Sequence, residues 1–367
     1  MTPSTRQPPL AVVFGVPGLE MTADQKAFFR DADPLGLILF KRNCGTPDQL
    51  RRLCGDFRDA VGRADAPILI DHEGGQHQRM DPPVWPAFPP PARIGALYRR
   101  DRAAGLAAAR LDGAAIGSLL RQHGISVDCA PLADVPVPGS HQVIGDRAFS
   151  DKPGEVAELA GAFMAGMIAA GVTPIIKHIP GHGRAMVDSH ERLPVVDTDL
   201  DTLADSDFLP FRRLAAAAPW AMVAHIVFSA VDQARPASIS PLVVEQVIRG
   251  RIGFDGVLIS DCIYMEALAG SLAQRCAAVL ASGIDICLSS HGDVDEWRPI
   301  AAAARPLTPD SLARLTRTAV PATGSPGGLI DDVAAAARDS GGPAGVNGAL
   351  TKLTSLRPGL GRPGRRQ

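Results

Sequence analysis

The amino-acid sequence predicts an α/β chain folded as a single (β/α)8 TIM barrel, and two observations carry that expectation. Eight short apolar runs alternate with helical patterns along most of the chain. Polar and ionisable residues then fall repeatedly at or just past the carboxyl ends of those runs: Lys41-Arg42-Asn43, Asp71, Asp134, Lys177-His178, His225, Asp261 and Ser290-His291. A strand ends where polar residues begin in any fold, so one such residue means little. A whole set of them favours a barrel, whose C-terminal mouth collects groups from several strands at once. A doubly wound sheet is the alternative that this placement disfavours.

The apolar runs expected as strands are 10–15, 36–40, 67–71, 126–130, 173–177, 220–225, 256–261 and 283–289. Helical patterns fall at 22–30, 47–63, 93–123, 154–170, 205–216 and 241–250. A further one runs from Asp261 to about residue 282, and alanine-rich helices follow to about residue 338. Gly124 and Gly171 stand where two of these helices should stop. Residues 1–340 are therefore expected to form one domain. Residues 341–367, rich in Gly, Pro and Arg without an apolar period, are expected to be a mobile tail.

Composition narrows the function. A chain of 367 residues with 46% hydrophobic content can bury a large core. Its 37 basic and 39 acidic residues nearly cancel, which argues against nucleic acid or an anionic membrane as partner. The start of the chain is polar, with no apolar core of a signal peptide, and no 18-residue apolar run stands out. A cytoplasmic monomer is the expectation. The six cysteines lack CxxC spacing, so neither a disulfide framework nor a zinc ribbon is expected; Cys129 and Cys287 read as small core hydrophobes. With no Gly-x-Gly-x-x-Gly after a strand and no Walker A loop, no cofactor is expected, and no Gly-x-Ser-x-Gly elbow occurs.

The most informative stretch is Lys177 to His190, KHIPGHGRAMVDSH. It follows a buried strand and opens a connection of about twenty residues, long enough to imply function. Asp188 and His190 lie two apart. In an extended segment such residues point the same way, so the carboxylate can orient the imidazole and favour its protonated form. Such a histidine suits proton transfer to a leaving group and then from water. His178, His182 and His190 are close in sequence, but a Pro-Gly break separates the first two and no HExxH occurs, so no metal is expected. Asp261 ends a strand in LISDCIYMEAL and reads equally well as a helix N-cap or as a nucleophilic carboxylate at the barrel mouth. After Asp71, the pair Gly74-Gly75 suggests a tight turn that could bring Arg79 back to the mouth. Arg147, in VIGDRAFS, is either structural, paired with Asp146 or Asp134, or a donor to a ligand.

Together KHIPGHG, VDSH, IDHEGGQHQR and LISDCIYMEAL resemble glycoside hydrolase family 3, and more closely its single-domain bacterial β-N-acetylglucosaminidases. LFKRN, VIGDRAFS, MVAHIVF and IGFDGVLISD extend the likeness over about residues 10–305. The resemblance implies a retaining mechanism through a covalent glycosyl-enzyme, with Asp261 as nucleophile, His190 as acid/base and Asp188 as its dyad partner. It implies that Asp71, Arg79, Arg147, Lys177 and His178 bind the N-acetylglucosamine. The substrate it implies is a peptidoglycan fragment, N-acetylglucosaminyl-1,6-anhydromuramic acid with or without peptide, in cell-wall recycling. Larger members resemble this barrel plus a second domain that supplies a catalytic glutamate; none is expected here, which leaves His190 as proton donor.

Two departures stand out. Cys262 sits where relatives often carry a second aspartate, and Gln76-His77 replaces a common Arg-Val. Three rival readings stay open: phosphorolysis, since an imidazole need not repel phosphate; a substrate-assisted mechanism using the acidic pair Asp295-Glu296, which also suits a helix start; and a sugar-binding protein without catalysis.

Overall fold

The computed structural model describes residues 7–139, 141, 143–189 and 191–321. Eight parallel strands close into a (β/α)8 barrel in chain order. They are β1 (Leu10–Gly15), β2 (Pro34–Leu39), β3 (Ile68–Ile70), β4 (Val127–Asp128), β5 (Thr173–Ile179), β6 (Trp220–Val223), β7 (Val257–Cys262) and β8 (Ile286–Ser289). Strand β8 closes the ring by pairing with β1. Every residue of β2 and β3 is buried, because a barrel strand is covered by helices outside and by packed side chains inside. That double burial is why these strands read as continuous apolar runs rather than alternating ones.

Around the barrel lie α1 (Ala23–Ala32), α2 (Pro47–Val61), α3 (Pro91–Arg100), α4 (Arg102–Gln122), α5 (Pro153–Ala169), α6 (Leu200–Asp205), α7 (Phe208–Leu214), α8 (Leu272–Ala281), α9 (Val294–Ala303) and α10 (Pro309–Arg317). A π-helical segment, Val243–Arg251, stands between β6 and β7. Helix starts follow local chemistry: Thr22, Thr46 and Ser271 each cap a helix and are answered three residues on by Gln25, Gln49 and Gln274.

Four expectations need correction. The helix expected over 93–123 is two helices. Asp101 is extended (φ −149°, ψ 104°) and its carboxylate accepts the Ala104 amide at 3.0 Å, so the aspartate caps a new helix instead of continuing the old one. The helix expected over 205–216 is α7, starting only at Phe208, and an unexpected short helix α6 precedes it; the Ser206 hydroxyl between them turns back to the Thr202 carbonyl at 2.6 Å. No helix starts at Asp261. Turns follow β7, and Ser271 caps α8, so the N-cap reading of Asp261 is lost. Finally, α4 is long and apolar enough to cross a membrane by length and composition, contrary to the expectation that no such run exists. Its small residues pack instead on α5, and 61% of its apolar window is buried within the barrel's shell.

The pattern also gave no hint of a second sheet. Two-residue strands Val195–Val196 and Val227–Phe228 pair in parallel, tying the far end of the loop after β5 to the segment after β6. Strands that short carry no period to detect. The stretch 322–338 and the tail 341–367 lie outside the described residues.

Close approach of α4 and α5 depends on glycine. A Cβ on Gly113 would collide with the Phe163 carbonyl, and one on Gly166 with the Arg110 carbonyl; both obstacles are backbone. Gly55 in α2 has open space around it. Alanine favours a helix over glycine by about 1 kcal/mol. Gly55→Ala should therefore raise stability by roughly that amount, whereas Gly113→Ala should lower it, as measured by urea denaturation. Equal effects at the two positions would contradict this packing.

Candidate active site

The carboxyl ends of the strands enclose a cavity of about 510 Å³ at the barrel mouth. One wall is charged. Asp71 follows β3 directly, and the chain after it doubles back through Gly74 (φ 90°) and Gly75 (φ 56°), a left-handed pair that side chains would strain. This turn returns Arg79 to Asp71, with Nη2 2.6 Å from Oδ2. Lys177, on β5 and only 2% exposed, reaches across to Asp71 and lies 2.5 Å from Glu73. Arg147 meets Glu73 through two parallel bonds, Nε–Oε2 at 2.8 Å and Nη2–Oε1 at 2.7 Å.

Three cations and two carboxylates thus form one buried array, and their electrostatics follow from it. Burial alone would raise Asp71, but Lys177, Arg79 and Arg147 together hold it well below the usual carboxylate range. Burial likewise works against Glu73, which Arg147 and Lys177 nevertheless lower to about 2. Burial disfavours the Lys177 ammonium, yet Asp71 and Glu73 keep it above its ordinary value. All five groups stay charged at neutral pH. Asp71, Arg79, Arg147 and Lys177 line the cavity; Glu73 stands behind them.

A second buried carboxylate organises the loop after β5. Asp134 accepts the His178 ring Nδ1 at 2.7 Å and the amides of His178 and His182 at 3.1 and 2.7 Å. Burial would raise this acid; the His178 ring opposes it and leaves the carboxyl below its usual value. With Nδ1 engaged, His178 is held in one orientation along the cavity wall. His182 lies beside it, ring centroids 5.4 Å apart, with Nε2 3.2 Å from the Ser189 hydroxyl. Burial, and next the charge of His178, lower His182 to about 4. Further along, Arg184 binds the Asp207 carboxylate at 2.6 Å. Gly183 comes so close to the Val135 carbonyl that no side chain fits.

Asp188 and Asp261 both line the cavity, Asp188 from the loop after β5 and Asp261 from β7. The structure therefore brings Asp71, Arg79, Arg147, Lys177, His178, Asp188 and Asp261 to one site. His190 lies outside the described residues. The Asp146 and Asp134 partners considered for Arg147 are not used; its partner is Glu73. Glu73 itself was missed as a member of the site, although its place two residues after Asp71 at a strand end was a signal. His225, read among the polar strand ends, is fully buried and bridges the Ser238 hydroxyl (2.6 Å) to the Cys262 carbonyl (2.9 Å). The departures are placed too: His77 and Cys262 both line the cavity, and Cys262 Sγ is 2.6 Å from Ser290 Oγ. Asp295 and Glu296 occupy the first turn of α9, with Asp293 as its cap. Among the described residues no three His, Cys, Asp or Glu side chains gather as a metal site.

The family model described as "Glycosyl hydrolase family 3 N terminal domain" matches residues 11–314. A protein of Aromatoleum aromaticum named beta-hexosaminidase is 34% identical over 85% of this chain and 88% of its own length. One of the same name from Xylella fastidiosa (strain 9a5c) is 38% identical over 80% of this chain and 87% of its own. Among solved structures, NagZ from Neisseria gonorrhoeae in complex with N-trifluoroacetyl-D-glucosamine has a TM-score of 0.80 and 28% identity. That match covers 96% of this chain and 99% of the other.

Two outcomes follow from this geometry. Glu73→Ala leaves Arg147 and Lys177 buried without their shared carboxylate, and should cost about 3–5 kcal/mol in urea denaturation; a loss below about 1 kcal/mol would refute the array's importance. The second concerns pH. Burial, first of all, depresses both His72 and His182 to about 4 in the folded chain, against 6.5 as the ordinary value. An unfolded chain gains these protons first, so their contribution to stability is present above about pH 6.5 and is lost as pH falls towards 4. The buried carboxyls of Asp112 and Asp128, raised by desolvation, act in the opposite sense, so the comparison is made within a pair. His182→Asn should flatten the fall in urea midpoint between pH 7 and pH 4; an unchanged slope would remove His182 as a cause.

Proposed function

Starting from a chain that belongs to glycosyl hydrolase family 3, and is accordingly a glycosidase, we propose that it is a retaining exo-β-N-acetylglucosaminidase. Its substrate in this reading is N-acetylglucosaminyl-1,6-anhydro-N-acetylmuramic acid, with or without attached peptide, released during cytoplasmic recycling of the cell wall. One observation carries the reading: a buried array of fixed cations with one carboxylate, Asp71, faces the same cavity as Asp188 and the strand-end carboxylate Asp261. Supporting it are relatives named beta-hexosaminidase over most of their length and a similar fold crystallised with an N-acylated glucosamine.

The chemistry follows from charge and position. A terminal sugar offers hydroxyl groups that both donate and accept. Asp71, ionised by its neighbours, accepts from them, while Arg79, Arg147 and Lys177 donate. Because burial fixes these groups in advance, they need no reorganisation when the sugar binds. Asp261 then attacks the anomeric carbon, forming a glycosyl–aspartate bond as the glycosidic C–O bond breaks. His190, oriented by Asp188, gives its proton to the departing oxygen. In the second half, the neutral imidazole takes a proton from water, whose oxygen attacks the anomeric carbon and frees Asp261.

Release of 4-nitrophenol from 4-nitrophenyl N-acetyl-β-glucosaminide tests the reading. Wild type should turn over, Asp261→Ala should lose at least roughly 10³-fold, and His190→Ala should lose far more with a poor leaving group than with nitrophenol. Turnover by neither wild type nor variant, with the protein folded, would overturn the function; equal losses across leaving groups would overturn the acid role of His190.

A further inference from the structure

Beside the charged array, the cavity lining becomes aromatic. Phe40 follows β2, Tyr264 follows β7 and His291 follows β8; β7 and β8 are neighbours in the closed ring, and β1 stands between β8 and β2. Phe40 and His291 stack, with centroids 5.8 Å apart and planes 27° apart; Tyr264 leans on His291 at 5.4 Å and 56°. All three line the same cavity.

Each ring has further contacts that hold it in place. The guanidinium groups of Arg42 and Arg79 lie 4.7 and 5.7 Å from the Phe40 centroid, so Phe40 is engaged by cations and anchors the wall. The His291 carbonyl accepts the Trp297 indole at 3.0 Å, and its Nδ1 lies 2.6 Å from the Ser290 hydroxyl. The Tyr264 hydroxyl reaches the Glu296 carboxylate at 3.3 Å. Tyr264 is half-buried and His291 exposed.

A sugar ring presents hydroxyls at its rim and C–H groups on its faces, so the two walls suit different parts of a substrate. Fixed charges bind the hydroxyl-rich terminal residue, and aromatic faces accept the C–H face of a ring or an aromatic group. The cavity has room for more than one pyranose, and Asp261 at the end of β7 stands next to the aromatic side. We propose that Tyr264 and His291, backed by Phe40, form the subsite that receives the leaving group, and that this subsite takes a second pyranose or an aryl ring by stacking. The proposal rests on the exo-glycosidase reading above.

The test compares two substrates that share the terminal sugar: N-acetyl-β-glucosaminyl fluoride, whose leaving group is too small to stack, and the disaccharide N,N′-diacetylchitobiose. The quantity read is the ratio of kcat/KM for disaccharide over fluoride. Tyr264→Ala and His291→Ala should each lower that ratio by roughly tenfold, as expected for loss of one aromatic contact. Tyr264→Phe, which keeps the ring and loses only its tie to Glu296, should stay within about threefold of wild type, a difference of well under 1 kcal/mol. A ratio unchanged in both alanine variants, or equal falls with both substrates, would overturn the subsite. A folded wild type inactive on both substrates would overturn the functional reading and the subsite with it, and that failure is seen before any variant is made.

Discussion

Lys177 is the group on which the site depends. A lysine buried to 2% exposure is tolerable only if its charge is matched nearby, and it meets two carboxylates, Asp71 and Glu73. Those carboxylates in turn hold Arg79 and Arg147. The result is an array assembled from β5 and the segments after β3 and β4, whose members keep each other ionised. Closing the barrel is what makes this possible, because it brings those strand ends to one mouth. Glu73 pins its cations from behind and so leaves Asp71 as the acceptor facing the cavity.

Asp134 does comparable work for the loop. By receiving one imidazole and two backbone amides, it turns the first residues of an otherwise long connection into a fixed ledge. Further ties come from Arg184 to Asp207 and from the small parallel sheet that holds Val195–Val196. Asp188 lies between these anchors, so the segment that carries it is restrained at both ends. Buried acids here position neighbours rather than react. Asp128, which accepts the His72 amide at 2.9 Å, belongs to the same group.

Beside the ion array, the mouth changes character from charged to aromatic within one cavity. Such division fits a pocket that must grip a polar terminal sugar firmly while accepting what is attached to it more loosely. Cys262, beside Asp261, contributes little polarity of its own: burial raises its thiol, and it contacts the Ser290 hydroxyl.

The barrel was legible because both faces of each strand are buried, so every strand is an apolar run that needs no partner to be recognised. The mouth residues were legible for a related reason: a strand in a barrel must end in polar residues, and Asp71, Lys177, His178 and Asp261 stand at those ends. The break at Asp101 was not legible, since a polar residue inside a helical pattern resembles a surface position until its side chain is seen capping the backbone. Nor was the choice for Asp261 between cap and cavity wall, which turned on where α8 begins. By itself, then, the sequence determined the barrel, its strand ends and the set of residues available at its mouth. Only the tertiary structure decided which charges pair, giving Arg147 to Glu73 and His178 to Asp134, and which rings gather in the same cavity. The two ion pairs join residues 74 and 44 positions apart in the chain, and local pattern carries no information about contacts at that range.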